Sequence, residues 1–94
     1  MTASTLGRRE VLYAGQVQGV GFRYTTHRIA NDFCINGYVQ NLPHGQLKLV
    51  VEGEIEEIKT FLSQIDTVLG VYIHHQQHTQ AAATKEFTRF EIRS

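Results

Sequence analysis

The chain reads as an α+β sandwich in which an antiparallel sheet is covered on one face by two helices. Three observations predict this. Five short segments have the alternating or β-rich character of strands, two longer stretches repeat apolar residues at helical spacing, and Pro43-His44-Gly45 places a tight turn between two strand patterns.

Glu10 to Val17 is the expected first strand, apolar and extended from Val11 onward. From Phe22 to Cys34, the residues Phe22, Thr26, Ile29, Ala30 and Phe33 form one helical face, while Arg23, His27, Arg28, Asn31 and Asp32 fall mostly outside it. Asn36-Gly37 is expected to end that helix, and Tyr38 to Leu42 to form a second strand. Proline suits the first central position of the following turn and glycine accepts a positive φ near its end. Gln46 to Glu52 then forms a third strand with Leu47, Leu49 and Val51 on one face, hairpinned against the second. Glu54 to Ile65 is the second helix, burying Ile55, Ile58, Leu62 and Ile65, with Glu54, Glu56 and Glu57 where the helix dipole favours negative charge. Val71 to His78 is a fourth strand and Phe87 to Ile92 a fifth, with Phe90 and Ile92 pointing the same way. Between them Thr79 to Lys85 is a loop despite its alanines, because so short a stretch makes a poor helix. The result is β-α-β-β-α-β plus a fifth C-terminal strand, a ferredoxin-like arrangement.

A chain of 94 residues supports one core, expected over 9–94, with 1–8 a disordered tail. Its 41% hydrophobic content and single proline require a packed fold. Nine basic and nine acidic residues cancel, which argues against a broad nucleic-acid surface and leaves room for a local positive pocket. One cysteine cannot form an internal disulfide, in keeping with a cytoplasmic location. The start of the chain lacks the apolar run of a signal peptide, and no segment has the length of a transmembrane helix, so no membrane partner is expected.

The most informative stretch is Gly15-Gln16-Val17-Gln18-Gly19-Val20-Gly21-Phe22-Arg23, which sets three glycines and an arginine in the joint between the first strand and first helix. A glycine-rich turn there can aim backbone N–H groups at one centre, and the helix N-terminus adds partial positive charge. Arg23 supplies a planar cationic fork in the first helical turn. A cation there opposes the helix dipole, a misfit that a bound anion would relieve. Phosphate suits such a cradle, with Gln18, Gly19, Val20, Gly21, Phe22 and Arg23 as its candidate binding residues.

These residues, with Gly37-Tyr38-Val39, Asn41 and Gly45 before a strand, resemble the acylphosphatases, and the resemblance runs from about Val11 to Ile92. It implies the ferredoxin-like fold and hydrolysis of the mixed anhydride between a carboxylic acid and phosphate, yielding carboxylate and orthophosphate. It also implies Arg23 for phosphate and Asn41 for water as the catalytic pair. The chemistry is compatible with the residues. The carboxylate leaving group needs no proton to depart, so holding the phosphate and aiming a water suffice, without cofactor, metal or protein nucleophile. Asn41 can both donate to and accept from a water. The expected partner is therefore a small acyl phosphate, acted on by a monomer. His44 departs from the family pattern, which usually has aspartate there, and Gly70 lacks the proline that commonly follows it.

Other readings are weaker. A non-catalytic anion-binding or regulatory module would need Arg23 but not Asn41. RNA binding through the sheet is disfavoured because Gly19-Val20-Gly21-Phe22 opens a helix instead of lying in a strand, and net charge is zero. His74, His75 and His78 could suggest a metal, but no carboxylate or cysteine accompanies them, so an exposed polar strand is expected. His27 and Cys34 would be roughly 10 Å apart along a shared helix, too far for a thiol–imidazole pair, and Cys34 is expected to be a small buried residue.

Overall fold

The computed structural model describes residues 5–94. Strand β1 (Leu6–Gly15) leads through the glycine loop into helix α1 (Phe22–Ala30), and strands β2 (Ile35–Asn41) and β3 (Leu47–Glu54) form the hairpin. Helix α2 (Ile55–Leu69), strand β4 (Ile73–Ala81) and the short strand β5 (Phe90–Arg93) complete the chain. The sheet order is β4-β1-β3-β2-β5. Val11 and Tyr13 of β1, Val39 of β2, Leu47, Leu49 and Val51 of β3 and Phe90 of β5 pack with Phe22 and Ile29 of α1 and Ile58, Phe61, Leu62 and Ile65 of α2 in one core. The ferredoxin-like α+β fold, with both helices on one face, is as the residue pattern predicts.

The sheet is mixed, not wholly antiparallel. β1, β3, β2 and β4 pair antiparallel, but β5 runs parallel to β2, with Tyr38 beside Glu91 and Val39 beside Ile92. The cause is the position of β4 and β5 on opposite edges, four strand spacings or about 19 Å apart. The connection 82–89 must cross that width. Eight residues reach only about 12 Å as a helix but about 27 Å when extended, so the segment crosses as an extended strap. Phe87 of the strap meets Tyr38 edge-on, with ring centroids 5.8 Å apart. β4 itself continues to Ala81, taking the first residues of the expected loop into pairing with Arg8 to Glu10.

Glu52 anchors the strap. It is 5% exposed, on the sheet face away from Leu49 and Val51. Its carboxylate accepts the Thr84 N–H at 2.9 Å, the Thr84 hydroxyl at 2.8 Å and the Lys85 N–H at 2.8 Å, and pairs with Arg8 at 3.0 Å. Burial by itself pushes this carboxyl up, but the bonds from Thr84, Lys85 and Arg8 outweigh it and hold the pKa at about 2.

Four expectations, three of them boundaries, need correction. Leu6, Gly7 and Arg8 are not part of a disordered tail; they pair with Glu54, Gly53 and Glu52, while residues 1–4 lie outside the described part. Helix α1 stops at Ala30, with Asp32 and Phe33 N–H groups closing on Ile29 and Ala30 carbonyls at 3.0 Å. Asn36-Gly37 therefore lies within β2, and Gly37 is needed because any Cβ there would collide with the Val50 carbonyl oxygen. Cys34 is exposed between helix and strand, not buried, since the helix that would have turned it inward has already ended. Helix α2 runs past Ile65 because Leu69 extends its buried face.

Candidate active site

The glycine loop is held at both ends by buried side chains. Val17 is fully buried, and Phe22 packs against Tyr13 with ring centroids 5.5 Å apart. At its start, the Gln16 N–H donates to the Tyr72 carbonyl at 2.9 Å, an approach so close that a Cβ on Gly15 would strike the Tyr72 and His74 backbone. Gly19 and Gly21 have φ of 80° and 74°, the left-handed conformation that glycine adopts without a steric cost. Gly21 is the N-cap of α1, and its carbonyl accepts the Thr25 N–H at 2.9 Å.

This conformation leaves the loop's donors unused by the protein. Among the described residues, the backbone N–H groups from Gln18 to Arg23 have no backbone or side-chain acceptor. Helix N-termini leave such donors free as a rule, and α1 carries no acidic residue in its first turn to offset them. Gly19, Val20 and Gly21 are exposed, so water serves these donors when no anion does, and an anion here would replace that water.

Val17, Gly19, Gly21, Phe22, Arg23, Tyr24 and Asn41 line one cleft of about 260 Å³. Arg23 is the only charged side chain in that lining, and it faces no carboxylate among the described residues. Its Nη1 instead donates to the Arg93 carbonyl at 3.0 Å, which fixes the guanidinium to the last strand. Asn41 reaches the cleft from the end of β2. Its Oδ1 is buried and has no hydrogen-bond partner among the described residues.

The structure thus brings Arg23, Asn41, Gly19, Gly21 and Phe22 together, the last through its backbone because its ring belongs to the core. Val20 stands on the loop between two lining glycines. The Gln18 side chain, as distinct from its backbone N–H, is engaged elsewhere: its Nε2 donates to the Leu42 and Gln46 carbonyls at 2.8 and 2.7 Å, tying the loop to the β2–β3 turn. That turn carries His44 at φ 65°, a conformation histidine tolerates better than most residues. The Gln18 and Arg93 contacts were not legible from sequence, since neither partner has a side-chain signature. Tyr24 and Glu52 were also missed; an aromatic residue directly after the cationic one was the available clue for the first. His74, His75 and His78 lie on β4, and no group of three metal-ligating side chains converges among the described residues.

A ferredoxin-like α+β domain with a cleft lined by Arg23 and Asn41 at its first strand-to-helix joint is the class that fold and site define. Within it, the acylphosphatase family model matches residues 9–92. The acylphosphatase of Methanospirillum hungatei is 38% identical over 87 residues, covering 92% of this chain and 96% of that protein. That of Archaeoglobus fulgidus is 37% identical over 89 residues, covering 88% and 93%. The crystal structure of acylphosphatase from Bacillus subtilis superposes with a TM-score of 0.85 at 24% identity, covering 96% of this chain and all of that one, and shows the shared fold. The chain belongs to the acylphosphatase family, and its enzymatic class is acyl phosphate hydrolysis.

Proposed function

We propose that the chain hydrolyses acyl phosphates by direct attack of water on phosphorus, with Arg23 and the loop N–H groups from Gln18 to Arg23 holding the phosphoryl oxygens. Asn41 orients the water. The carboxylate departs as the P–O bond to the acyl group breaks, and the proton released by water stays on the orthophosphate product, so no protein acid, covalent intermediate or metal is needed. The observation that carries this reading is the shared cleft of Arg23 and Asn41, which come from different elements.

Fixed donors around a phosphoryl group favour the transition state because they are aligned before its charge spreads onto the oxygens. The unpartnered Asn41 Oδ1 supplies an acceptor for the attacking water. A small neutral chain with so local a cationic site suits a monomer acting in the cytoplasm on a diffusible substrate, without a nucleic-acid partner. Among the described residues no helix is long and apolar enough to cross a membrane.

The test is orthophosphate release from acetyl phosphate with chelator present, comparing the native chain with Arg23→Gln and Asn41→Ala. Activity that survives chelation and collapses in both folded variants supports the assignment. Full turnover by Asn41→Ala would remove the water-orienting role, and loss of activity on chelation would overturn the metal-free route.

A further inference from the structure

Tyr24 is 74% exposed, although it adjoins the buried Phe22 and the half-buried Arg23 on the first turn of α1. It lines the same cleft as Arg23 and Asn41, and no other side chain stacks on or hydrogen-bonds to its ring among the described residues. Val20, on the loop between the two lining glycines, is 40% exposed. The cleft therefore pairs a polar floor of loop amides, guanidinium and carboxamide with one exposed aromatic residue in its lining, Tyr24, while Val20 lies outside that lining.

An acyl phosphate has the same division: one end is a charged phosphoryl group and the other an organic acyl group. With the phosphoryl end on the polar floor, the acyl group has to leave the cradle past its border. We infer that Tyr24 is a specificity residue that receives the organic end of the substrate and favours acyl phosphates with a flat aromatic or extended apolar acyl group over acetyl phosphate. This inference rests on the proposed placement of the phosphoryl group.

The physical basis is that a wet tyrosine ring gains by covering its face with another apolar surface, and a methyl group covers little of it. Such contact is made by a part of the substrate remote from the reacting bond, so it acts on selection between substrates more than on the bond-breaking step. Tyr24 would select by area and not through its hydroxyl. The ring, not the phenol, should then matter.

The experiment measures kcat/KM for benzoyl phosphate and acetyl phosphate in the native chain, Tyr24→Ala and Tyr24→Phe, with circular dichroism to check folding and the inhibition constant of orthophosphate to read the cradle separately. The expected result is a native preference for benzoyl phosphate, a preference that falls about tenfold in Tyr24→Ala, and its recovery in Tyr24→Phe. An equal loss on both substrates, together with weaker orthophosphate inhibition, would show that Tyr24 only shapes the helix start and would overturn the inference. An unchanged benzoyl-to-acetyl ratio in Tyr24→Ala would overturn it as well. A folded native chain that hydrolyses neither substrate would defeat the placement of the phosphoryl group and this inference with it.

Discussion

The Arg23 guanidinium donates to the backbone carbonyl of Arg93 at 3.0 Å, so the first turn of α1 is tied to the last residues of β5. The cation of the cleft is thus aimed by the far end of the chain. Arg93 is also held in place, with its guanidinium carbon 3.8 Å from the centre of the Tyr38 ring. β5, though only Phe90–Arg93, closes the sheet edge and positions the Arg23 side chain.

Deleting Arg93 and Ser94 should lower kcat/KM for acetyl phosphate by about tenfold, since a hydrogen bond from a charged group contributes about 1.5–3 kcal/mol and part of it is replaced by water. Steady-state kinetics on the shortened chain, with its circular dichroism spectrum as a check, reads this. Full activity would mean that Arg23 finds its pose without β5.

Arg23→Gln should reduce kcat by about 10²–10³-fold, the usual effect of removing one donor from a charge-stabilising site. Arg23→Lys should restore only part, because a point charge lacks the fork that reaches both the Arg93 carbonyl and a phosphoryl oxygen. The same assay, with saturating substrate, separates the two variants.

Gly21→Ala and Gly37→Ala should behave differently. A Cβ at Gly21 meets nothing within 4 Å, so the cost is the left-handed backbone alone, about 1–2 kcal/mol. That variant should fold and lose activity as the loop shifts. Gly37→Ala drives a carbon into the Val50 carbonyl and should cost at least about 3 kcal/mol or prevent folding. Urea unfolding of both variants makes the comparison.

Stability should fall in acid through Glu52. Its pKa drops from 4.5 to about 2 on folding, so the folded state favours the ionised form. The contribution is present above the unfolded value near 4.5 and is lost as pH falls toward 2. A shift of this size corresponds to about 3 kcal/mol at most. Urea titrations at neutral pH and between pH 4.5 and 2 should show a steep loss in the native chain. Glu52→Gln should be less stable at neutral pH and decline less steeply. Parallel declines would place the acid sensitivity elsewhere.

Much of the fold was legible because its signals are local. Phe22, Thr26, Ile29 and Ala30 share a helical face and are all buried, and Leu47, Leu49 and Val51 share a strand face and are all buried. Errors came where local signals conflict with pairing. Phe33 continues the helical period, yet the chain gains more by handing Ile35, Asn36 and Gly37 to β3. The direction of β5 left no mark in its own residues, because it follows from which edge remains for a strap of that length to reach.

The candidate site divides in the same way. Glycines at 19 and 21 before Phe22-Arg23 are contiguous, and their conformational freedom and charge are properties of the residues themselves. The meeting of Arg23 with Asn41 is a matter of distance between elements. So are the Gln18 bonds to Leu42 and Gln46 carbonyls, the Arg93 carbonyl behind Arg23 and the strap bonds to Glu52, whose partners are mostly backbone groups that every residue type carries.

By itself the sequence determined the two helices, the five strands, the buried faces and the glycine-arginine loop, since hydrophobic period, turn chemistry and backbone freedom act over a few residues. Only the tertiary structure decided the parallel edge strand, the strap over Glu52, the exposure of Cys34 and Tyr24 and the single cleft shared by Arg23 and Asn41. These depend on pairings and distances between segments far apart in the chain, which exist only once the sheet has assembled.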